Sequence, residues 1–206
     1  RVSFPHPTAE KPSETAALCS QANPHADTRS VGKGFPATGT LLSARPSTRD
    51  TPALGSFVEA PMRFCIHRGS KQIGGSCVEL ESEGAHIVLD LGLPLDVEAS
   101  SGVFVPPIEG LRSPVPSLLG IVLSHGHRDH WGLLPEIPGN VPLFMGTATE
   151  RIMRAAAPFV PNGFSPRSAA YLRDRESFDV GPFRITPYLV DHSGFDAYAL
   201  LVETGG

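Results

Sequence analysis

The sequence is poor in the features that most readily assign a small protein to a class. It has three cysteines, Cys19, Cys65 and Cys77, in 206 residues and no C-x-x-C pair. That excludes a zinc ribbon, a thioredoxin-type redox motif and a disulfide scaffold. The odd, scattered set does not point to an oxidising compartment. No apolar run approaches the ~18 residues needed to span a bilayer. No apolar core of a secretory signal lies near the start, so the cytoplasm is the expected location. Positive charge is not in excess: 17 Lys and Arg stand against 21 Asp and Glu, a formal charge of −4. This excludes a generally basic nucleic-acid coat. There is one tryptophan.

Proline and glycine are plentiful instead, 21 of each. Part of that excess lies in residues 1–61, which are rich in Pro, Ser and Thr and show no period near 3.6 or 2. Such a segment buries too little apolar surface to offset its chain entropy, so it is expected to be disordered. Its acidic residues and prolines argue against a transit peptide. The patterned sequence starts at Met62, and residues 62–206 read as the folded part.

There the pattern is one of short strands and turns. Strands are expected at 63–67, 76–82, 85–91, 120–124, 142–145, 178–180, 183–190 and 197–202, with Glu83-Gly84 as a hairpin turn. The run Gly120-Ile121-Val122-Leu123-Ser124 has the continuous apolar character of a strand covered on both faces. Residues 93–118 form a long loop with five prolines. A helix is expected from Thr147, with Thr147 as N-cap and Glu150 as its capping-box partner. A second is expected from Ser165, with Pro166 at its first position.

The chemistry is concentrated in Ser124-His125-Gly126-His127-Arg128-Asp129-His130-Trp131-Gly132. His125 and His127 are two apart, so on extended backbone they point the same way. Asp129 and His130 follow where Trp131, Leu133, Leu134 and Ile137 predict a short helix. A strand end and a helix start can thus aim four ligand-type side chains at one place. Imidazole and carboxylate suit Zn²⁺, and Mn²⁺ or Fe fits the same donors. The other histidines, His6, His25, His67 and His86, have no such company and read as structural or solvent-exposed.

His-x-His-x-Asp-His after an apolar strand resembles the signature of the metallo-β-lactamase superfamily. Asp191-His192-Ser193-Gly194-Phe195-Asp196 resembles the His-Ser-x-x-Asp segment of its ribonuclease J-like, β-CASP-related branch. Gln72-Ile73-Gly74-Gly75-Ser76 and Leu89-Asp90-Leu91-Gly92 resemble that branch too. The resemblance implies an α+β fold, an αββα sandwich of which residues 62–206 are the N-terminal part. It implies a zinc-dependent hydrolase with two metal ions, the first held by His125, His127 and His192 and the second by Asp129 and His130. Asp129 and His130 would take direct part in catalysis, with Asp129 also holding the attacking water. Asp90 would be structural, beneath the metal loops. Asp196 is a candidate partner for the His192 ring, with a turn cap as the competing reading, and Ser193 is a weaker candidate for a substrate phosphate. The resemblance also implies a bridging aspartate and a last histidine, neither of which has a position in these residues. The sandwich is therefore expected to be incomplete at its C-terminus.

RNA or another phosphodiester is the substrate the resemblance implies, with no membrane partner. Charge argues the other way, since residues 62–206 hold 11 basic against 16 acidic side chains. A small-molecule ester, thioester or lactone hydrolase of the same fold is the alternative, and a non-catalytic fragment is a third reading.

Overall fold

The computed structural model describes residues 18–21, 62–97 and 103–205. Ten strands are described: β1 Leu18–Gln21, β2 Arg63–Arg68, β3 Cys77–Ser82, β4 Ala85–Leu89, β5 Leu118–Val122, β6 Leu143–Gly146, β7 Ala170–Leu172, β8 Phe178–Val180, β9 Phe183–Leu189 and β10 Tyr198–Thr204. Two α-helices, α1 Arg128–Trp131 and α2 Thr147–Ala156, and two single 3₁₀ turns complete the set. No described helix is long and apolar enough to cross a membrane.

Seven strands form one sheet in the order β1-β2-β3-β4-β5-β6-β7. Its first half, to β4, is antiparallel, and β4, β5, β6 and β7 run parallel. The remaining strands form an antiparallel sheet, β10-β9-β8. In the antiparallel half β3 and β4 form a tight hairpin, and Glu83 and Gly84 make its turn with φ of 53° and 75°. This is the doubly positive geometry that matches the twist of the flanking strands. The parallel half is joined by the long loop, by α1 and by α2, because parallel strands need a crossover.

Strand alternation divides the core into two layers. Ile87 and Val122 face the small sheet, where they pack with Leu80, Leu172, Val180, Phe183, Ile185 and Tyr198. Their chain neighbours Val88 and Ile121 face the other way, onto Trp131, Leu133, Leu134 and Met153. Both faces of β4 and β5 are therefore dry, as the apolar run at 120–124 predicts. The fold is α+β, with helices and the long loop on one face of the mixed sheet and the second sheet on the other.

Several expectations are corrected. Residues 165–175 are not helical. Ala169 N–H donates to Leu143 O at 2.7 Å, and Ser168 N–H donates to the Glu150 carboxylate at 3.0 Å. Pairing beside β6 thus overrides the local signal of Pro166. The capping box is also absent: Gly146 is the N-cap of α2, with no side-chain bond of its own. The Glu150 carboxylate is engaged by Ser168 and Arg154 instead. The strand β1 falls in the segment expected to be disordered, and it pairs antiparallel with the open edge of β2. The rest of residues 1–61, with His6 and His25, lies outside the described residues.

Candidate metal centre

The candidate residues meet at the C-terminal ends of the parallel strands, where an open α/β sheet leaves a crevice. Leu89 of β4 pairs with Val122 of β5, so the chain leaves both strands side by side. Asp90 follows the first and Ser124-His125 the second. Asp90 N–H donates to Val122 O at 3.0 Å, and Asp90 itself takes the left-handed conformation, φ 58°. That turn points its carboxylate under the loop. Asp90 Oδ1 accepts from Ser124 N–H at 2.8 Å, and Oδ2 accepts from Ser124 Oγ at 2.9 Å and His130 Nδ1 at 2.7 Å. The structural role expected of Asp90 is thus a three-point anchorage.

The segment after β5 is held by its carbonyls. Arg128 O, Asp129 O and His130 O accept from the backbone N–H groups of Leu93, Ser76 and Leu91, at 3.3, 3.0 and 2.8 Å. The Trp131 indole donates to Gly126 O at 2.9 Å and closes the loop between the two leading histidines. Gly74, at φ 76°, lies over Asp129: a Cβ there would stand 2.9 Å from Asp129 Cβ. The Gly74-Gly75 turn is therefore part of this site.

His192 arrives from the other sheet, on the loop between β9 and β10. Tyr198 N–H donates to Ser124 O at 3.0 Å, which docks the start of β10 on the end of β5. His125 Nε2 lies 3.1 Å from His127 Nδ1 and 3.0 Å from His192 Nε2. One ring nitrogen from each of the three histidines falls within 4.8 Å of the others, an arrangement able to hold a metal ion. Two nitrogens bound to one Zn²⁺ at ~2.0–2.1 Å in tetrahedral geometry stand ~3.3 Å apart. Three neutral imidazoles at these spacings fit such an ion.

The second candidate pair is adjacent. The His125 and His130 ring centroids are 4.0 Å apart. His130 Nε2 faces Asp129 Oδ2 at 3.5 Å, so a nitrogen and a carboxylate oxygen open onto one point.

Burial, aided by the neighbouring imidazoles, pushes His125 down to about 4 and leaves it a neutral donor at neutral pH. His130 is also penalised by burial, but its hydrogen bond to Asp90 and the charges of Asp90 and Asp129 outweigh that and raise it.

The structure corrects the reading of Asp196 as a His192 partner. Asp196 Oδ2 accepts from Thr149 N–H at 2.8 Å, and Oδ1 accepts from Tyr198 Oη at 2.8 Å. The carboxylate thus caps α2 from outside the helix and holds the start of β10, a role that neither the His192 reading nor a local turn cap describes. Asp196→Ala is expected to cost about 1–2 kcal/mol in urea unfolding, as lost helix caps do. Metal affinity at the three histidines should change little, and a loss as large as that of a ligand variant would restore the His192 reading. Ser193 is exposed, beside His192. A groove of ≈ 430 Å³ beside it is lined by Leu189, Val190, Asp191, His192, Gly194 and Phe195 among others. Phe195, 76% exposed, was not singled out by its sequence context. Ser124, which contacts Asp90, His125 and His130, was also not singled out, although its place between the strand and the first histidine was the available signal. His67 and His86 are structural: His67 pairs with Glu79 at 2.8 Å, and His86 meets Glu109 O at 2.9 Å.

No family model matches the chain. Ribonuclease J of Mycobacterium tuberculosis is 24% identical over 168 residues, 76% of this chain and 28% of that protein. Ribonuclease J of Helicobacter pylori is 25% identical over 140 residues, 66% of this chain and 20% of that protein. That of Sinorhizobium meliloti is 29% identical over 122 residues, 57% of this chain and 22% of that protein. The chain thus spans less than a third of the length of these relatives. Among solved structures, a protein of unknown function from Enterococcus faecalis superposes with a TM-score of 0.55 at 23% identity, over 68% of this chain and 40% of that one. The Rm3 metallo-beta-lactamase superposes with a TM-score of 0.49 at 18% identity, over 69% of this chain and 54% of that one. In sequence the chain is similar to these ribonuclease J proteins over part of its length, and its fold is the α+β fold expected of it.

Proposed function

We propose that this chain carries the metal-binding part of a hydrolase that cleaves phosphodiester bonds, with RNA as the substrate class. The observation that carries the reading is the convergence of His125, His127 and His192 beside Asp129 and His130. The ribonuclease J relatives supply the substrate class.

In this reading His125 Nε2, His127 Nδ1 and His192 Nε2 hold the first Zn²⁺, and Asp129 and His130 contribute to a second. Zn²⁺ so held supplies Lewis acidity toward a phosphoryl oxygen and acidifies water toward pKa ~7. The protein's own part is positional. Asp90 keeps the His130 Nδ1 proton turned inward, so that Nε2 faces the site. Asp129 Oδ2 accepts a hydrogen bond from the attacking water and orients it. His192, on the exposed side, borders the groove through which substrate approaches.

A second reading, hydrolysis of a small ester, thioester or lactone, draws on two observations. Residues 62–206 are acidic in balance, and the groove beside His192 is walled by Leu189, Val190 and Phe195. Zinc titration of the 206-residue chain, followed by assays on RNA and on a thioester, tests both. We expect one zinc equivalent bound tightly through the three histidines and lost in His125→Ala, with a weaker second equivalent. Absence of tight zinc binding overturns the proposal, and thioester turnover without RNA cleavage replaces the substrate class.

A further inference from the structure

Ser124 lies between the two halves of the site and touches both. Its half-buried hydroxyl is 2.9 Å from Asp90 Oδ2, 3.0 Å from His125 Nδ1 and 3.2 Å from His130 Nδ1. We propose that Ser124 is a positioning residue that, anchored on Asp90, sets the tautomer of His125, so that one Asp90–Ser124 unit prepares a nitrogen donor in each half of the site.

The protons available at these atoms fix the tautomer. An ionised carboxylate is an acceptor only, and a hydroxyl has one proton to give. Asp90 Oδ1 is engaged by Ser124 N–H, and Oδ2 faces both the Ser124 hydroxyl and His130 Nδ1. Both approaches are favourable only if the Ser124 Oγ–H and the His130 Nδ1–H donate to Oδ2. With its proton given to Asp90, Ser124 Oγ presents lone pairs to His125. His125 Nδ1 must then carry a proton and donate it. In a neutral imidazole a proton on one nitrogen leaves a lone pair on the other. His125 Nε2 is therefore an acceptor, at the point where His127 Nδ1 and His192 Nε2 converge. The same carboxylate takes the Nδ1 proton of His130, so that Nε2 is the nitrogen turned toward Asp129. Were the Ser124 proton turned to His125 instead, Oγ and Asp90 Oδ2 would face each other as lone pairs at 2.9 Å. A hydrogen bond to the far nitrogen is the general means by which proteins choose which imidazole nitrogen meets a metal.

The inference rests on the metal-site reading only where it concerns zinc affinity; the tautomer itself is a property of the metal-free protein. Long-range ¹H–¹⁵N spectra of the metal-free 206-residue chain at neutral pH read it directly. We expect His125 to carry its proton on Nδ1. Ser124→Ala should give a mixture of tautomers, and Ser124→Thr, which keeps the hydroxyl, should restore the Nδ1–H form. Zinc affinity, measured by competition with a chromophoric chelator, should fall about 10–100-fold in Ser124→Ala, the usual cost of an outer-shell partner. It should return in Ser124→Thr. An Nε2–H His125 in the unaltered chain overturns the proposal, and so does a folded Ser124→Ala with unchanged tautomer and affinity. If Ser124→Ala does not fold, the spectrum of the unaltered chain decides alone. Failure of the unaltered chain to bind zinc would overturn the proposed function instead, leaving the tautomer to be judged on the metal-free spectrum.

Discussion

Gly92→Ala is expected to abolish folding of the domain, because among the described glycines it is the one whose added Cβ would come nearest to another backbone atom. A Cβ at Gly92 would stand 1.7 Å from Asp129 O, 2.4 Å from Asp129 C and 2.8 Å from Ser76 N. All three atoms are backbone, so no rotamer change relieves the clash. The surrounding bonds allow no easy shift. Gly92 N–H donates to Ser76 O at 2.9 Å, and Ser76 N–H donates to Asp129 O at 3.0 Å. On either side, Leu91 and Leu93 bond to His130 O and Arg128 O. Ordinary overpacking costs ~1–3 kcal/mol. Here a methyl group would break a buried backbone network as well, and a loss above ~4 kcal/mol follows. Far-UV circular dichroism and thermal melts of the purified variant measure it. A cooperative transition within a few degrees of the parent would show that the 76, 92 and 129 backbones are not in close contact.

Asp90→Ala should be the costliest side-chain truncation at the site. Asp90 is 8% exposed and receives two hydrogen bonds from Ser124 and one from His130. Unpaired buried donors cost ~1–3 kcal/mol each. Alanine at φ 58° adds the strain of the left-handed region, ~1 kcal/mol. We expect a loss of about 3 kcal/mol or more in urea unfolding, together with weaker zinc binding. Asp90→Asn should lie between, because asparagine tolerates this backbone and can still accept from Ser124 N–H, while its amide cannot accept from His130. A stability change under ~1 kcal/mol in Asp90→Ala would mean that the three bonds are not formed in solution.

Asp90 and Gly92 differ in how far the sequence reveals them. Asp90 was visible in the sequence as a polar residue closing an apolar strand, within a segment resembling a known family. Gly92 was part of the same segment, but nothing in its local pattern shows that Asp129, 37 positions on, supplies the backbone against it. Eight of the ten described strands, all but β1 and β7, were legible because each has a short, self-contained signal: alternation at 77–82, a continuous apolar run at 120–124, a glycine turn at 83–84. The helix expected from Ser165 failed because its signal was also short, and pairing beside β6 outweighs the preference of one proline. Asp196 failed as a partner of His192 for a similar reason. Proximity in sequence placed it near His192, whereas the helix N-terminus that claims its carboxylate lies 47 residues away.

By itself the sequence determined that four ligand-type side chains lie together at a strand end. The spacing of His125, His127, Asp129 and His130 at a strand end admits few readings other than a metal centre, and that spacing is local. His192 and Asp90 were named by the resemblance alone, and the tertiary structure shows what brings them there. His192 joins because Tyr198 docks β10 against Ser124, and Asp90 joins because β4 and β5 are parallel neighbours that end side by side. Ser124 becomes a shared contact of both half-sites for the same reason. Short-range order follows from neighbouring residues, but a site of this kind depends on strand pairing and sheet packing, which a pattern along one chain does not encode locally.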